Sequence, residues 1–419
     1  MEQTSGRNWE AVLLAGSSAL VILIFVVGGG IALAGGIADW RETHDTTLSL
    51  LPAFLTIAAL LLATALIGRA GWLALLQIKN KPAEPAHMPS FTAWAGIVFF
   101  IGWIFSILLA VFLIQKPILQ WFSLPFYLLA IGMPVYGLIR LGLGELEPGS
   151  KLRAWGTLSM GMTLAPFLAM LAEGMALIIL LIFIGVFIGF DPQRWEGLRT
   201  LAEQLQNIGS QEEAIALLAP FLTNPLVLMG GLFFLSIVTP LAEEAAKSLP
   251  VWMAWRKLES PGQGFALGAL SGAGFGLMEG LLISTAPGTT WGATLAVRAA
   301  SSAMHIITSG LVGWGIGKAA QKKRALPALG RYLLGVSVHG IWNACVLVMV
   351  YASGLTILSG TTPNIAAMLI ATSALCFLSL LILAAPIILW AINHQFQKSL
   401  PLPPNPEKIE PPPTRNMVI

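Results

Sequence analysis

Apolar stretches about twenty residues long recur along the whole chain, separated by short polar breaks. A helix needs about 20 apolar residues to cross about 30 Å of hydrocarbon. Ten stretches meet that length, near 11–35, 47–67, 92–114, 118–143, 156–190, 225–255, 264–285, 292–317, 328–352 and 363–392. The pattern predicts an all-α, polytopic transmembrane bundle. The fifth stretch is longer than one crossing requires and contains Pro166, so it is expected to begin as an interfacial segment. The first is too long for a cleaved leader and lacks a basic flank, so it is read as an uncleaved span.

Two segments break the pattern. Residues 191–222 form the one long polar insert between spans, an extracytoplasmic amphipathic loop in this reading. Trp195, Leu198, Leu201, Leu205 and Ile208 recur there at helical spacing, which predicts a helix that lies on the membrane, covers the bundle or simply connects spans. Residues 396–419 carry Pro401, Pro403, Pro404, Pro406 and Pro411 to Pro413, which predicts a disordered cytoplasmic tail. The remaining divisions are a five-span region over 1–190, of unknown role, and a core plus final span over 223–395.

Composition agrees with the spans. The chain of 419 residues is 56% hydrophobic and 10% charged, against about 25% charged in a soluble domain. That excludes soluble enzymes and binding modules. A net charge of +3, scattered along the chain, leaves no basic stripe for nucleic acid.

The basic residues orient the bundle, because cytoplasmic loops are enriched in Lys and Arg. With the N-terminus inside, one side receives Arg7, Arg69, Lys79, Lys81, Arg140, Lys151, Arg153, Arg256, Lys257, Lys318, Lys322, Lys323, Arg324, Arg331, Lys398, Lys408 and Arg415. The other receives Arg41, Lys116, Arg194 and Arg199. Both termini are therefore expected in the cytoplasm of a multi-pass cell-membrane protein. Cys345 and Cys376 both fall in spans and are expected to be buried thiols without a disulfide or metal role.

Ionisable residues inside spans cost about 2.5–3.5 kcal/mol each, so each needs a reason. The first five spans are nearly clean; Glu173 is the main exception, and it either pairs locally, sits near the interface or touches a functional site. In the last five, polar residues come one small group per helix. The sixth span holds Glu243, Glu244 and Lys247, at spacings that bring the lysine to both carboxylates. A neutralised structural ion pair explains them as well as a general base does. The seventh span holds Glu279 beside a glycine row, Gly264, Gly268, Gly272, Gly276 and Gly280, which lets another helix approach closely. Arg298 and His305 share a face of the eighth, and His339 and Asn343 a face of the ninth. At about 1.5 Å per residue, Glu243, His305 and His339 lie about 17–20 Å from the cytoplasmic helix ends and Glu279 about 22 Å, so the four can meet.

In this order the residues resemble the PrsW-type intramembrane proteases, relatives of the type II CAAX-prenyl proteases in a wider processing superfamily. The matching motifs are Glu243-Glu244-x-x-Lys247, Phe275-x-x-x-Glu279, His305 and His339-x-x-x-Asn343, one per consecutive span. Lys247 and Glu279 favour the PrsW branch. The resemblance covers roughly residues 225–352 and leaves the first five spans unexplained.

It implies a peptidase hydrolysing membrane-anchored proteins within the lipid bilayer, bacterial anti-sigma factors being one target type. The implied catalytic residues are Glu243, Glu244, Lys247, Glu279, His305, His339 and Asn343. Either glutamate of the pair is the base on a water, and Lys247 tunes the pair. Glu279, His305 and His339 either hold a divalent metal, with Zn2+ the expected ion, or orient the water, and a metal-free glutamate mechanism stays open. Asn343 is expected to donate to the tetrahedral intermediate. Arg298 neutralises a carboxylate or stabilises the bundle. The alternatives are a catalytically silent scaffold of the same fold and an ion-coupled transporter, since buried Glu, Lys and His also build ion relays. The halves show no internal repeat of the kind many transporters carry.

Overall fold

The computed structural model describes residues 9–89, 91–189, 192–206, 217, 224–288, 290–358 and 365–398. Among them are thirteen α-helices and no strand: α1 Trp9–Thr43, α2 Leu51–Ile78, α3 Ala93–Ile114, α4 Ser123–Leu143, α5 Lys151–Met162, α6 Leu164–Gly189, α7 Pro192–Gln206, α8 Pro225–Phe233, α9 Thr239–Met253, α10 Pro261–Ile283, α11 Trp291–Lys322, α12 Leu326–Leu358 and α13 Ile365–Lys398. They make ten stretches long and apolar enough to cross a membrane, α5–α6 and α8–α9 each counting as one. The protein is a multi-pass, all-α integral membrane protein.

The bundle is organised around α10 and α11. Their apolar windows are 83% and 78% buried, against 6–33% in the other eight spans. In lipid, helix association relies on close packing and hydrogen bonds rather than on a hydrophobic drive, and the glycine row supplies that closeness. A Cβ on Gly264, Gly268 or Gly272 would run into the carbonyl of Gly313, Ser309 or His305 of α11. The closest approach of the two helices therefore runs along the backbone that carries His305. On its other flank α10 meets α5, where a Cβ on Gly274 would strike the Leu158 carbonyl and one on Gly161 the Ser271 carbonyl.

That contact corrects the interfacial start expected for span five. The helix does break, at Thr163, which leaves helical geometry three residues before Pro166. Yet α5 is not laid on a surface: Ala154, Gly156, Thr157, Ser159, Gly161 and Met162 are all buried. Its small residues make it a partner for the glycine-rich face of α10. The cysteine expectation also changes. Cys345 of α12 is half-buried against a cluster that includes Met304 of α11 and Trp342 of α12, but Cys376 is exposed on α13. An apolar thiol facing lipid needs no burial.

Loops assigned to one side by charge meet only loops of that side in the bonds below. On the basic side Lys257 pairs with Glu10 at 2.7 Å, Glu84 with Lys151, and Asn393 donates to the Gly144 carbonyl at 2.9 Å. On the other, Gln120 accepts from Thr47 at 2.9 Å and Trp291 donates to the Ser284 carbonyl at 2.9 Å. The insert after α6 is helical over Pro192–Gln206, with Trp195 and Leu205 exposed. Ile208, the rest of that insert apart from residue 217, and the proline-rich segment lie outside the described residues.

Candidate active site

Four consecutive spans place their polar residues in one buried cluster. The sixth contributes through a π turn at Phe234–Val238, in which the Thr239 N–H donates to the Phe234 carbonyl rather than to that of Leu235. In the same register the Leu235 carbonyl would need the N–H of residue 240. That residue is Pro240, which has none. Asn343 supplies the missing donor, its Nδ2 lying 2.8 Å from the Leu235 oxygen. The turn delivers α9, whose buried face carries Glu243, Glu244 and Lys247.

Lys247 is fully buried, and its ammonium has three acceptors for three hydrogens: Glu244 Oε1 at 2.7 Å, His305 Nδ1 at 2.9 Å and Glu243 Oε2 at 3.1 Å. The Phe275 ring centroid lies 4.5 Å from Nζ, a cation–π contact. Because His305 Nδ1 accepts from Lys247, its proton sits on Nε2, which donates to Glu279 Oε2 at 3.0 Å. Glu279 in turn pairs with Arg298 at 2.9 Å, so Arg298 neutralises a carboxylate.

The adjacent glutamates have different surroundings. Glu244 is wholly buried and accepts from Lys247, Thr308 at 3.0 Å, His339 Nδ1 at 3.0 Å and Ser309 at 3.2 Å. A carboxylate so surrounded, with no exposed surface, offers no oxygen to a substrate. Glu243 accepts from Lys247, and its side chain keeps 11% exposure. With the His339 proton held on Nδ1 by Glu244, the Nε2 lone pair stands 3.7 Å from Glu243 Oε2. His305 Nδ1 is 3.9 Å from the same oxygen, and the two imidazoles meet edge to face with centroids 5.1 Å apart.

Of the expected residues, Glu243, Glu244, Lys247, Glu279, His305 and His339 form one connected network, with Asn343 behind it. The expected metal set of Glu279, His305 and His339 does not converge. Glu279 reaches His305 from the far side of its ring, and the set whose ligand atoms lie within 4.8 Å of one another is Glu243, His305 and His339. Thr308 and Ser309 were not anticipated. Their signal lay in the sequence, three and four residues after His305, on the helical face that also carries that histidine.

Residues 209–382 match the PrsW family intramembrane metalloprotease model. The matched region holds the whole cluster described above, from the π turn to the ninth span. No curated protein and no solved structure gave a match. Similarity to the PrsW family therefore rests on the second half of the chain, where all seven cluster residues lie.

Proposed function

We propose that the protein is an intramembrane endopeptidase that hydrolyses peptide bonds of membrane-anchored proteins, with Glu243 as the general base. One observation carries the assignment: Glu243 Oε2 lies 3.7 Å from His339 Nε2, the ring nitrogen that Glu244 does not engage, whereas both oxygens of Glu244 are engaged. A water held between that carboxylate and that imidazole can give one proton to Glu243 as its oxygen attacks the scissile carbonyl. Glu243 then returns the proton to the leaving amine, so hydroxide is added to one product and a proton to the other. Glu244 holds the His339 tautomer, and Glu279 does the same for His305, the usual work of a carboxylate behind an imidazole. Lys247 supplies the positive charge that two adjacent buried carboxylates need as a partner. Asn343 holds the turn that aims Glu243, which leaves its second amide hydrogen for the oxyanion role suggested by the sequence.

The donors suit a divalent cation such as Zn2+. Glu243, His305 and His339 present one carboxylate and two imidazole ligand atoms within 4.8 Å of each other. Three carboxylates against Lys247 and Arg298 leave the cluster one negative charge when the histidines are neutral. When bound, such an ion would supply Lewis acidity to the scissile carbonyl. Lys247 bonds two of the same three donors, so the ammonium and the ion compete for them. The wider relationship to CAAX-prenyl proteases, the cytoplasmic placement of both termini, and the division of the chain into a five-span region and a protease core belong to the same proposal.

The test is cleavage by the purified protein, in detergent, of a panel of membrane-anchored fusion proteins. Wild type is expected to cut at least one fusion, and Glu243→Gln and His339→Ala to lose that cut while keeping their helical content. Equal cleavage by all three proteins would show that the cluster does not perform the reaction. Metal analysis of the same samples measures the ion.

A further inference from the structure

Glu173 is an ionisable group in span five that the mechanism above does not use. Ala165 and Ala169 of α6 are buried against Ala246 of span six and Phe275 of span seven. Glu173 follows Ala169 by four residues and so continues the same face one turn on. Spans five and seven run in the same direction, and Glu279 likewise follows Phe275 by four residues. Span six runs the opposite way, so its next turn at that level is the one that begins with Glu243. The layer above Ala169, Ala246 and Phe275 therefore brings together Glu173, Glu243 and Glu279. In agreement, the half-buried Glu173 carboxyl lies within electrostatic reach of Glu243, Glu279 and Lys247.

Glu173 has no hydrogen bond or ion pair among the described residues, unlike the other three carboxylates. A second group near Glu243 shares that property. Thr239 lies one turn before Glu243 on the same helix face, is 7% exposed, and its hydroxyl has no hydrogen-bond partner. Lys247, which satisfies the cluster, lies one turn away in the opposite direction. Thr239 therefore adds an unpartnered buried hydroxyl one turn from Glu243, on the side away from the lysine, at a depth where each such group is costly.

We infer that Glu173, with Thr239, is the docking point for the main chain of a locally unwound membrane segment, next to the peptide bond presented to Glu243. A helical peptide bond is shielded by its own hydrogen bonds. Opening it frees N–H groups that must find acceptors inside the membrane. Glu173 is a carboxylate acceptor placed beside the base, and the Thr239 hydroxyl can donate to a freed carbonyl or accept from a freed N–H. Glu173 is a positioning residue in this account, and the inference rests on the hydrolytic reading of the cluster.

The probe is a single-span fusion whose apolar segment is interrupted by a Gly-Pro pair and whose N-terminus carries a fluorophore. Cleavage is followed with wild type, Glu173→Ala, Glu173→Gln and Glu243→Gln, and binding of the probe by fluorescence anisotropy on Glu243→Gln with and without Glu173→Ala. Glu173→Ala should raise KM about tenfold, the upper end of what one hydrogen bond contributes, with kcat within about twofold. Binding to the double variant should weaken by the same factor. Glu173→Gln keeps an acceptor oxygen and should restore most of the loss. Unchanged KM and binding in Glu173→Ala would overturn the inference and leave the Glu243 reading intact. A Glu173→Gln variant as impaired as Glu173→Ala would overturn main-chain docking, because charge alone would then be what matters. Full turnover by Glu243→Gln would remove the hydrolytic reading, and this inference with it.

Discussion

Replacing each of the adjacent glutamates by glutamine should have opposite consequences. Glu244→Gln removes the nearer of the two negative partners of a fully buried ammonium and one end of bonds from Thr308, Ser309 and His339. Deleting one side of a buried ion pair costs about 3–5 kcal/mol. Unfolding entropy of about 2.1 cal/mol/K per residue over 419 residues converts 1 kcal/mol into roughly 1 °C. Glu244→Gln should therefore lower the apparent unfolding midpoint by about 3–5 °C. Glu243→Gln leaves the shorter Glu244–Lys247 pair in place and removes a partly exposed charge, so its midpoint should fall by less than half as much while activity disappears. The assay is tryptophan fluorescence during heating in one detergent at one protein concentration, paired with cleavage of a membrane-anchored fusion. A Glu243→Gln midpoint lower than that of Glu244→Gln would reverse the assignment of the supporting and the reacting carboxylate.

Asn343→Ala leaves the Leu235 carbonyl without a donor, which should cost about 1–3 kcal/mol and reduce kcat by loosening the turn before Glu243; thermal and kinetic measurements on the same sample check both, and a variant with unchanged kcat would remove the link between that turn and the base. Lys247→Met should bind Zn2+ at least tenfold more tightly than wild type in competition with a chromophoric chelator, since the ammonium that holds Glu243 and His305 is gone; an unchanged affinity would show that the two cations do not share donors. For topology, single cysteines at Lys81 and Lys116 should label with a membrane-impermeant maleimide on opposite sides, Lys116→Cys in intact cells and Lys81→Cys only after permeabilisation, and the reverse pattern would invert the bundle.

The spans were legible because hydrocarbon imposes one rule on every helix that crosses it. The same rule made the cluster legible: residues such as Glu243, Glu279, His305 and His339 are expensive in a span, so their presence needed a reason and their depths pointed to one level. What sequence could not supply was direction. Glu279, His305 and His339 were read as one group, but a ring has two sides, and only the structure places Glu279 behind His305 and Glu243 in front. Asn343 met the same limit. Its spacing from His339 put it on the right face, while its bond to Leu235 depends on a π turn that leaves no periodicity signal. The identity of Pro240 was the one local hint. The small-residue faces of α5 and α10 were visible as composition, yet nothing in span five alone said that Gly161 would meet Ser271.

The arrangement also shows what spans four and five add to the half that carries the cluster. α10 and α11 can approach closely only because the row at Gly264, Gly268 and Gly272 has no side chains. Away from that row α10 packs through both large side chains, Phe265, Leu270, Leu277 and Leu281 among them, and further glycines. Gly161 and Gly274 repeat that solution against α5, and Tyr127 of α4 donates to the Leu281 carbonyl at the outer end of the helix. α10 is thus clamped by backbone contact on two flanks, and Glu279 and Phe275 ride on a helix with little freedom to turn. Such rigidity suits a site in which a carboxylate must meet one particular nitrogen of an imidazole. It also places α6, the continuation of α5 beyond Thr163, along the flank of α9, where Glu173 stands beside Glu243. Spans four and five are in that sense a wall against which α10 and α9 are packed.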